Sequence, residues 1–343
     1  MTPTPNVHAR RLTAQLLAGP PARSPLAVAE RLLAIQGQDP RGARLAIRAR
    51  TTGVQAADID RELTEERSLV ITTLNRGTLH LIRSEDYPLL QLLTTPPLMR
   101  PSATRLAQDG LDAATTERAV DLIDRSIADD GPLTRAQLRE RLGRAGIPHL
   151  ERSLVHLVFR ASIEGRIVRG PMIGRQHAFA RVPDWLSPAP PPPRETALAE
   201  LARRYLAGHG PASDRDLARW AGLPLRDARA GLGAIAGELR ELAGGLVDLA
   251  RRGRAAPLPR PRLLGAFEPL LLGWASRTDV LGAAQAHVVS GGVFRNFALV
   301  GGRGVAVWRL KAAGIEIEPF AELAAGDAAA LTRDGEAVTQ FLS

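Results

Sequence analysis

Residues 117–185 contain apolar side chains at helical spacing, and the last part of this range alternates between apolar and polar residues. In ERAVDLIDRSIADDG, the apolar positions Val120, Ile123 and Ile127 form one helical stripe that ends at a Gly-Pro. Thr134 stands where an N-cap would begin the next helix, and a third helical segment runs through LERSLVHLVFRASIEG. Two short alternating stretches, GRIVRGP and RQHAFARV, complete the segment. Three helices followed by a β-hairpin predict a winged helix.

The same order of elements recurs in two other parts of the chain. Residues 195–250 repeat it, with Ser213 as the expected cap of a second helix, and the polyproline stretch SPAPPPPRE precedes them as a semi-rigid linker. In the first hundred residues, helices are predicted at about 6–18, 25–36 and 42–52. LVITTLNRGTLHLI then reads as two strands joined by a turn at Asn75-Arg76-Gly77. We interpret the three parts as tandem winged-helix units.

The sequence pattern changes after RRGRAAPLPRPR. Short stretches that alternate apolar and small residues are separated there by glycine pairs, which is typical of an antiparallel meander. A helix is predicted from about residue 319. The predicted fold class is therefore α+β, mainly α, with three tandem winged-helix units and a small β-rich C-terminal domain. The predicted boundaries are 1–110 for a winged-helix-like unit, 111–186 and 195–255 for two winged helices, and 261–343 for the β-rich domain.

The net positive charge of the chain favours a polyanionic binding partner. The net charge is +9, and the excess lies before residue 261, since residues 261–343 carry 7 basic and 8 acidic side chains. A basic surface spread over several units attracts nucleic acid. The chain has no cysteine, no apolar run of membrane-spanning length, and no basic-then-apolar signal at its start. These features predict a cytoplasmic, nucleoid-associated monomer without a membrane partner.

Two glutamines stand where a predicted helix has to end. In LLAIQGQDPRG, Gly37 weakens a helix, and Pro40 favours extended backbone at Asp39. Residues two apart point to the same side of an extended segment. We therefore expect the helix to end near Gln36, with Gln36 and Gln38 on one side and exposed to a concave surface.

The usual enzyme signatures are absent from the sequence. The histidines lack the HExxH spacing of a zinc site, and GGRG at 301–304 lacks the Lys-Ser/Thr of a phosphate-binding loop. No Gly-x-Ser-x-Gly and no zinc-deaminase motif occurs. We predict neither a metal site nor a cofactor.

AIQGQDP, with LNRGTLHLI about forty residues later, resembles the N-terminal unit of the winged-helix DNA glycosylases of the AlkZ type. The C-terminal FEPLLLGWASR and VSGGVFRNFALVGGRGVAVWRL agree with this, so the resemblance covers essentially the whole chain. The family excises bulky alkylpurines and unhooks interstrand crosslinks, in general repair or in self-resistance to a genotoxic natural product. Its signature is Gln–aliphatic–Gln, which places Gln36 and Gln38 as the catalytic amides. Gly37 departs from the aliphatic middle position, and Trp274-Ala275-Ser276 departs from the His and Asp expected before Arg277.

The resemblance implies a monofunctional DNA glycosylase acting on double-stranded DNA that contains alkylated or crosslinked purines. Asp39 is a candidate catalytic helper. A rival hypothesis is a DNA-binding protein without catalysis, such as a regulator or damage sensor, because fold alone does not decide function. The candidate DNA-binding residues are Arg44, Arg48, Arg76, Thr78, His80, Arg166, Arg169, Arg175 and Arg277.

Overall fold

A computed structural model describes residues 5–174, 176–312 and 314–343. The helices are α1 (Pro5–Ala14), α2 (Pro25–Leu32), α3 (Pro40–Arg48), α4 (Ala56–Thr64), α5 (Tyr87–Thr94), α6 (Pro96–Gln108), α7 (Ala113–Asp130), α8 (Arg135–Arg144), α9 (Leu150–Ile163), α10 (Val182–Trp185), α11 (Arg194–His209), α12 (Asp214–Ala221), α13 (Leu225–Ala234), α14 (Pro269–Leu272), α15 (Thr278–Leu281), α16 (Gln285–Val288) and α17 (Ala325–Leu342).

The strands are β1 (Ile35–Gln36), β2 (Leu69–Leu74), β3 (Thr78–Arg83), β4 (Ile167–Ile173), β5 (Gln176–Arg181), β6 (Leu239–Leu242), β7 (Leu246–Leu249), β8 (Arg262–Leu264), β9 (Val289–Ser290), β10 (Val293–Phe294), β11 (Phe297–Val300), β12 (Arg303–Lys311) and β13 (Gly314–Pro319). Helices outweigh strands, and every strand pair among β2–β13 within one sheet is antiparallel. The predicted α+β class with mainly helical content is confirmed.

The chain forms two compact units that are described separately. Unit 1 takes in the chain up to Ile59 together with Leu198–Trp220 and Pro224–Ser343, and unit 2 consists of Asp60–Ala197 with Ala221–Leu223. This division does not follow the four boundaries predicted from the sequence. Those boundaries, and the number of winged-helix units, stay predictions.

Unit 2 contains the predicted run of three helices and a hairpin, formed by α7, α8, α9 and the β4–β5 pair. Thr134 caps α8 as predicted: its hydroxyl accepts the N–H of Gln137 at 3.3 Å, and the Gln137 Oε1 accepts the N–H of Thr134 at 2.9 Å. The stripe of Val120, Ile123 and Ile127 is buried in one core with residues of α8 and α9. Amphipathic spacing and a cap therefore fix this part of the fold.

The second hairpin of unit 2 joins β2 to β3 through the predicted turn at Asn75–Gly77. Within the unit the strands lie in the order β3-β2-β4-β5. Two helices that the sequence analysis missed follow the hairpin, α5 and α6. Each carries proline in its first turn, where the missing N–H costs no helical hydrogen bond. The prolines there start helices.

Unit 1 contains another run of three helices and a hairpin, α11 to α13 followed by β6–β7. The Ser213 hydroxyl accepts the N–H of Asp216 at 3.2 Å, and this confirms the predicted cap. The C-terminal part adds a sheet in the order β13-β12-β11-β8, against which α17 packs. That helix begins at Ala325, a few residues later than expected.

One buried ion pair ties the beginning of unit 1 to its C-terminal part. The guanidinium of Arg50 donates to the Glu268 carboxylate at 2.5 Å, and both side chains are fully buried. Arg50 also donates to the backbone carbonyls of Gln15, at 2.7 Å, and Ala46, at 2.8 Å, and to the Gln15 side chain at 3.0 Å. A buried charge is tolerated when it is paired and hydrogen-bonded in this way. The pair therefore joins chain segments far apart in sequence.

Candidate active site

The two glutamines lie in the connection between α2 and α3, residues 33–39, which we call the glutamine segment. Helix α2 ends at Leu32 because Leu33 takes a left-handed φ of +63°, and Ile35 and Gln36 are extended. The helix therefore ends four residues before Gln36, so the expected helix end near Gln36 is wrong. Leu33 and Ile35 are fully buried and anchor the segment.

The two amides differ in their exposure. Gln36 is 6% exposed, whereas Gln38 is exposed. The expectation that both amides are exposed is thus wrong for Gln36 and correct for Gln38. The difference follows from position, since Gln36 ends the short extended stretch beside buried Ile35 and Gln38 lies in the bend before α3.

Asp39 has a structural role at the start of α3. Its carboxylate accepts the backbone N–H of Arg41 at 2.9 Å, and Pro40 occupies the first helical position. This is N-capping, which satisfies a backbone donor that has no partner inside the helix. Catalytic help from Asp39 stays a prediction.

Helix α3, which directly follows the glutamine segment, is packed closely against residues 265–266. A Cβ atom added to Gly42 would lie 2.3 Å from the carbonyl oxygen of Ala266, and one added to Gly265 would lie 2.9 Å from the Gly42 Cα. Both distances are too short for any real side chain. The glycine at the end of the QGQDPRG motif therefore lets α3 lie directly against residues 265–266.

Gly42→Ala is expected to lower the free energy of unfolding by about 1–3 kcal/mol, because the methyl group meets backbone that has no room to move aside. Chemical denaturation measures this. Gly233→Ala is the control: Gly233 is exposed on α13 and a Cβ there meets nothing within 4 Å, so alanine should stabilise the helix by about 0.5–1 kcal/mol. Equal effects of the two variants would contradict the close packing.

Three predicted DNA-binding arginines of unit 1 have intramolecular contacts. Arg44 donates to the carbonyl of Pro40 at 2.9 Å, and Arg48 donates to the carboxylate of Asp334 at 2.8 Å. Arg277 donates to the carbonyl of Leu271 at 2.8 Å, and partial burial lowers its pKa. A phosphate contact by Arg48 would have to compete with its ion pair. The DNA-binding roles of these three arginines stay predictions.

Of the three residues that depart from the family pattern, Trp274 lies in the core of unit 1, and Ala275 and Ser276 are exposed. Trp274 is buried, and its indole N–H donates to the carbonyl of His209 at 2.9 Å. The backbone N–H of Ala275 donates to the Asp216 carboxylate at 2.9 Å. Burial lowers the pKa of His209 to about 3, so its ring is neutral beside Trp274. In this chain Trp274 therefore fills an aromatic core.

The hairpin candidates lie in unit 2. Arg76 is exposed at the turn with a φ of +58°, and Thr78 is half-buried. Arg76 lies in the turn, and strand alternation places Thr78 and His80 on one face of β3. His80 is 3% exposed, and its Nδ1 is 2.9 Å from the carbonyl oxygen of Thr78. Burial, with the charge of Arg76, lowers the pKa of His80 to about 3, so any DNA contact would involve a neutral ring.

Of the remaining candidates, Arg166 directly precedes β4 and Arg169 lies within it. Arg166 is exposed and forms an ion pair with Asp121 at 3.2 Å. Arg169 is half-buried, with its guanidinium carbon 4.3 Å from the centre of the Phe179 ring. Arg175 lies outside the described residues.

Among residues 5–174, 176–312 and 314–343, no group of three or more His, Cys, Asp or Glu side chains is placed to hold a metal ion. None of the helices in the described part of the chain combines the length and apolar character needed to cross a bilayer.

Comparisons with known proteins agree on one family. The family model described as "DNA glycosylase AlkZ-like" matches residues 29–341. The structure is similar to that of the Streptomyces sahachiroi DNA glycosylase AlkZ, with a TM-score of 0.82 and 25% sequence identity, over 98% of this chain and 95% of that chain. No curated protein sequence matches the chain significantly.

Proposed function

We propose a substrate class for this chain, which belongs to the AlkZ-like DNA glycosylase family and is therefore an enzyme that hydrolyses N-glycosyl bonds. The substrates are cationic alkylpurines in duplex DNA: bulky N7-guanine or N3-adenine adducts, including interstrand crosslinks. The enzyme removes them in DNA repair or in self-resistance to a genotoxic natural product, as a monomer at the nucleoid in the cytoplasm. The observation that carries this proposal is the glutamine segment, in which an exposed amide follows a buried one.

The chemistry of the lesion explains why amides suffice. Alkylation at N7 of guanine or N3 of adenine leaves the base cationic, so the base departs without being protonated by the enzyme. What the enzyme supplies is a positioned water and stabilisation of an oxocarbenium-like transition state. A glutamine side chain has an acceptor oxygen and two N–H donors, but it is a weak base. Two amides therefore restrict activity to bases that are already good leaving groups.

The exposure of the two amides assigns their roles in this proposal. Gln38, which is exposed, accepts a hydrogen bond from the attacking water. Gln36, which is 6% exposed, orients that water or the sugar. Asp39 keeps the segment in place by capping α3, and its carboxylate is the candidate helper.

The test is base release from duplex oligonucleotides. We expect the enzyme to release the base from DNA with an N7-alkylguanine faster than the spontaneous loss measured without enzyme, and to unhook a duplex crosslinked through N7-guanine. A matched duplex with uracil at the same position should stay intact, because its neutral base would have to leave as an anion, whereas the cationic alkylpurine leaves as a neutral molecule. Release of uracil without release of the alkylguanine would overturn the proposed substrate class.

A further inference from the structure

Arg169 is a half-buried cation whose position is fixed by an aromatic ring. It pairs with Phe179 across the β4–β5 hairpin, and its guanidinium stacks over that ring. Phe179 itself is 2% exposed. Across residues 5–174, 176–312 and 314–343, Arg169 has no carboxylate partner. Burying part of a guanidinium without a counter-ion is costly.

Arg135 brings a second cation to the same place. It is the first residue of α8, and the chain just before it is bonded to the hairpin: Leu133 and Phe179 exchange backbone hydrogen bonds of 2.7 and 3.0 Å. Burial, followed by the charge of Arg135, lowers the pKa of Arg169 to about 10, so the Arg169 side chain stays protonated at neutral pH. Arg135 is exposed, and no described carboxylate is paired with it.

Three arginines on neighbouring elements of unit 2 form ion pairs, and Arg169 differs from them in being half-buried without one. Arg139 pairs with Glu151 at 2.5 Å, Arg141 with Asp130 at 2.6 Å, and Arg181 with Asp124 at 3.0 Å. Two neighbouring like charges without an acid raise the energy of the free protein. The positive end of the α8 dipole, on which Arg135 lies, adds to the local potential.

We propose that Arg135 and Arg169 together bind one backbone phosphodiester of DNA, at a contact point on unit 2 whose cations come from α8 and the β4–β5 hairpin. The proposal rests on the proposed function in taking DNA as the ligand. A phosphodiester supplies the missing negative charge, and two guanidiniums offer it several N–H donors. The contact positions the duplex and carries no base specificity.

The experiment compares three variants that each remove one positive charge. Duplex affinity is measured over a salt series for Arg135→Gln, Arg169→Gln and Arg139→Gln, the last being the control because Glu151 already neutralises Arg139. We expect the first two to bind about threefold to tenfold more weakly and to reduce the slope of log K against log salt by about 1. Arg139→Gln should change the affinity by less than about twofold. If all three variants behave alike, the proposal is wrong.

Thermal unfolding and stabilisation by inorganic phosphate distinguish a lost DNA contact from misfolding and from binding of free phosphate. Thermal unfolding of Arg135→Gln, in which an exposed residue is changed, should match that of the original protein, so weaker binding cannot be attributed to misfolding. If base release succeeds but the salt slopes are unchanged, this inference fails and the proposed function stands. If inorganic phosphate stabilises the original protein and not Arg169→Gln while DNA affinity is unaffected, the ligand is free phosphate and the DNA assignment is overturned.

Discussion

Gln38→Ala is expected to slow base excision from N7-alkylguanine DNA by about 10²-fold, measured in single-turnover reactions at saturating enzyme. The exposed amide is proposed to hold the attacking water, and alanine has no group that replaces it. Duplex affinity should change by less than about twofold, because a neutral amide releases no counterions from DNA. Gln38→Ala should therefore lower the rate of excision and leave the affinity for duplex DNA nearly unchanged.

Two neighbouring variants separate the amides from the carboxylate. Gln36→Ala should also slow excision, by a smaller factor than Gln38→Ala. Asp39→Asn keeps the N-cap of α3, since asparagine caps as well as aspartate, and it removes only the negative charge. We expect Asp39→Asn to have less effect than Gln38→Ala. Unchanged excision in the Gln36/Gln38 double alanine variant would place the site elsewhere, and a parallel loss of binding would mean that the glutamines are structural.

Arg50→Met is expected to lower the free energy of unfolding by about 3–5 kcal/mol, measured by chemical denaturation. Methionine fills part of the volume but leaves the Glu268 carboxylate buried without its cation. It also removes the donors to the Gln15 and Ala46 carbonyls. A loss of this size is a large fraction of the stability of an ordinary domain.

The double variant Arg50→Met with Glu268→Met tests the cause. Replacing both charges by apolar side chains should recover much of the loss, although Glu268 also accepts the Leu270 N–H at 3.3 Å. Arg61→Met is the surface control, because its pair with Glu66 is about half exposed and should be worth less than about 1 kcal/mol. A cost for Arg50→Met as small as that of Arg61→Met would show that the buried pair does not support unit 1.

The sequence predicts the parts of the fold that depend on nearby residues. Thr134 and its partner Gln137 are three apart, so a capping box can be found from spacing alone. The turn at Asn75–Gly77 is similarly local. By contrast, α2 ends early because Leu33 has a φ of +63°. Leucine rarely adopts a positive φ, so the sequence alone does not predict a helix end there.

Features that depend on distant residues could not be predicted. The burial of Gln36 and the pairing of Arg50 with Glu268 are set by tertiary packing, and neither leaves a pattern in the local sequence. Arg135 was also missed as a candidate. The capping signal at Thr134 does place Arg135 at the start of a helix, but the absence of an acidic partner is visible only in three dimensions.

The pairing of Arg50 with Glu268 sets an order of events during synthesis on the ribosome. The two residues are 218 positions apart, so roughly 10 to 40 s pass between their translation at bacterial and eukaryotic elongation rates. Until Glu268 emerges, the guanidinium has no counter-ion for burial, and α3 lacks residues 265–266 to pack against. Unit 2 is nearly continuous and can form while unit 1 is still incomplete. The glutamine segment is thus among the first parts of the chain to be made, and the residues that α3 packs against are among the last.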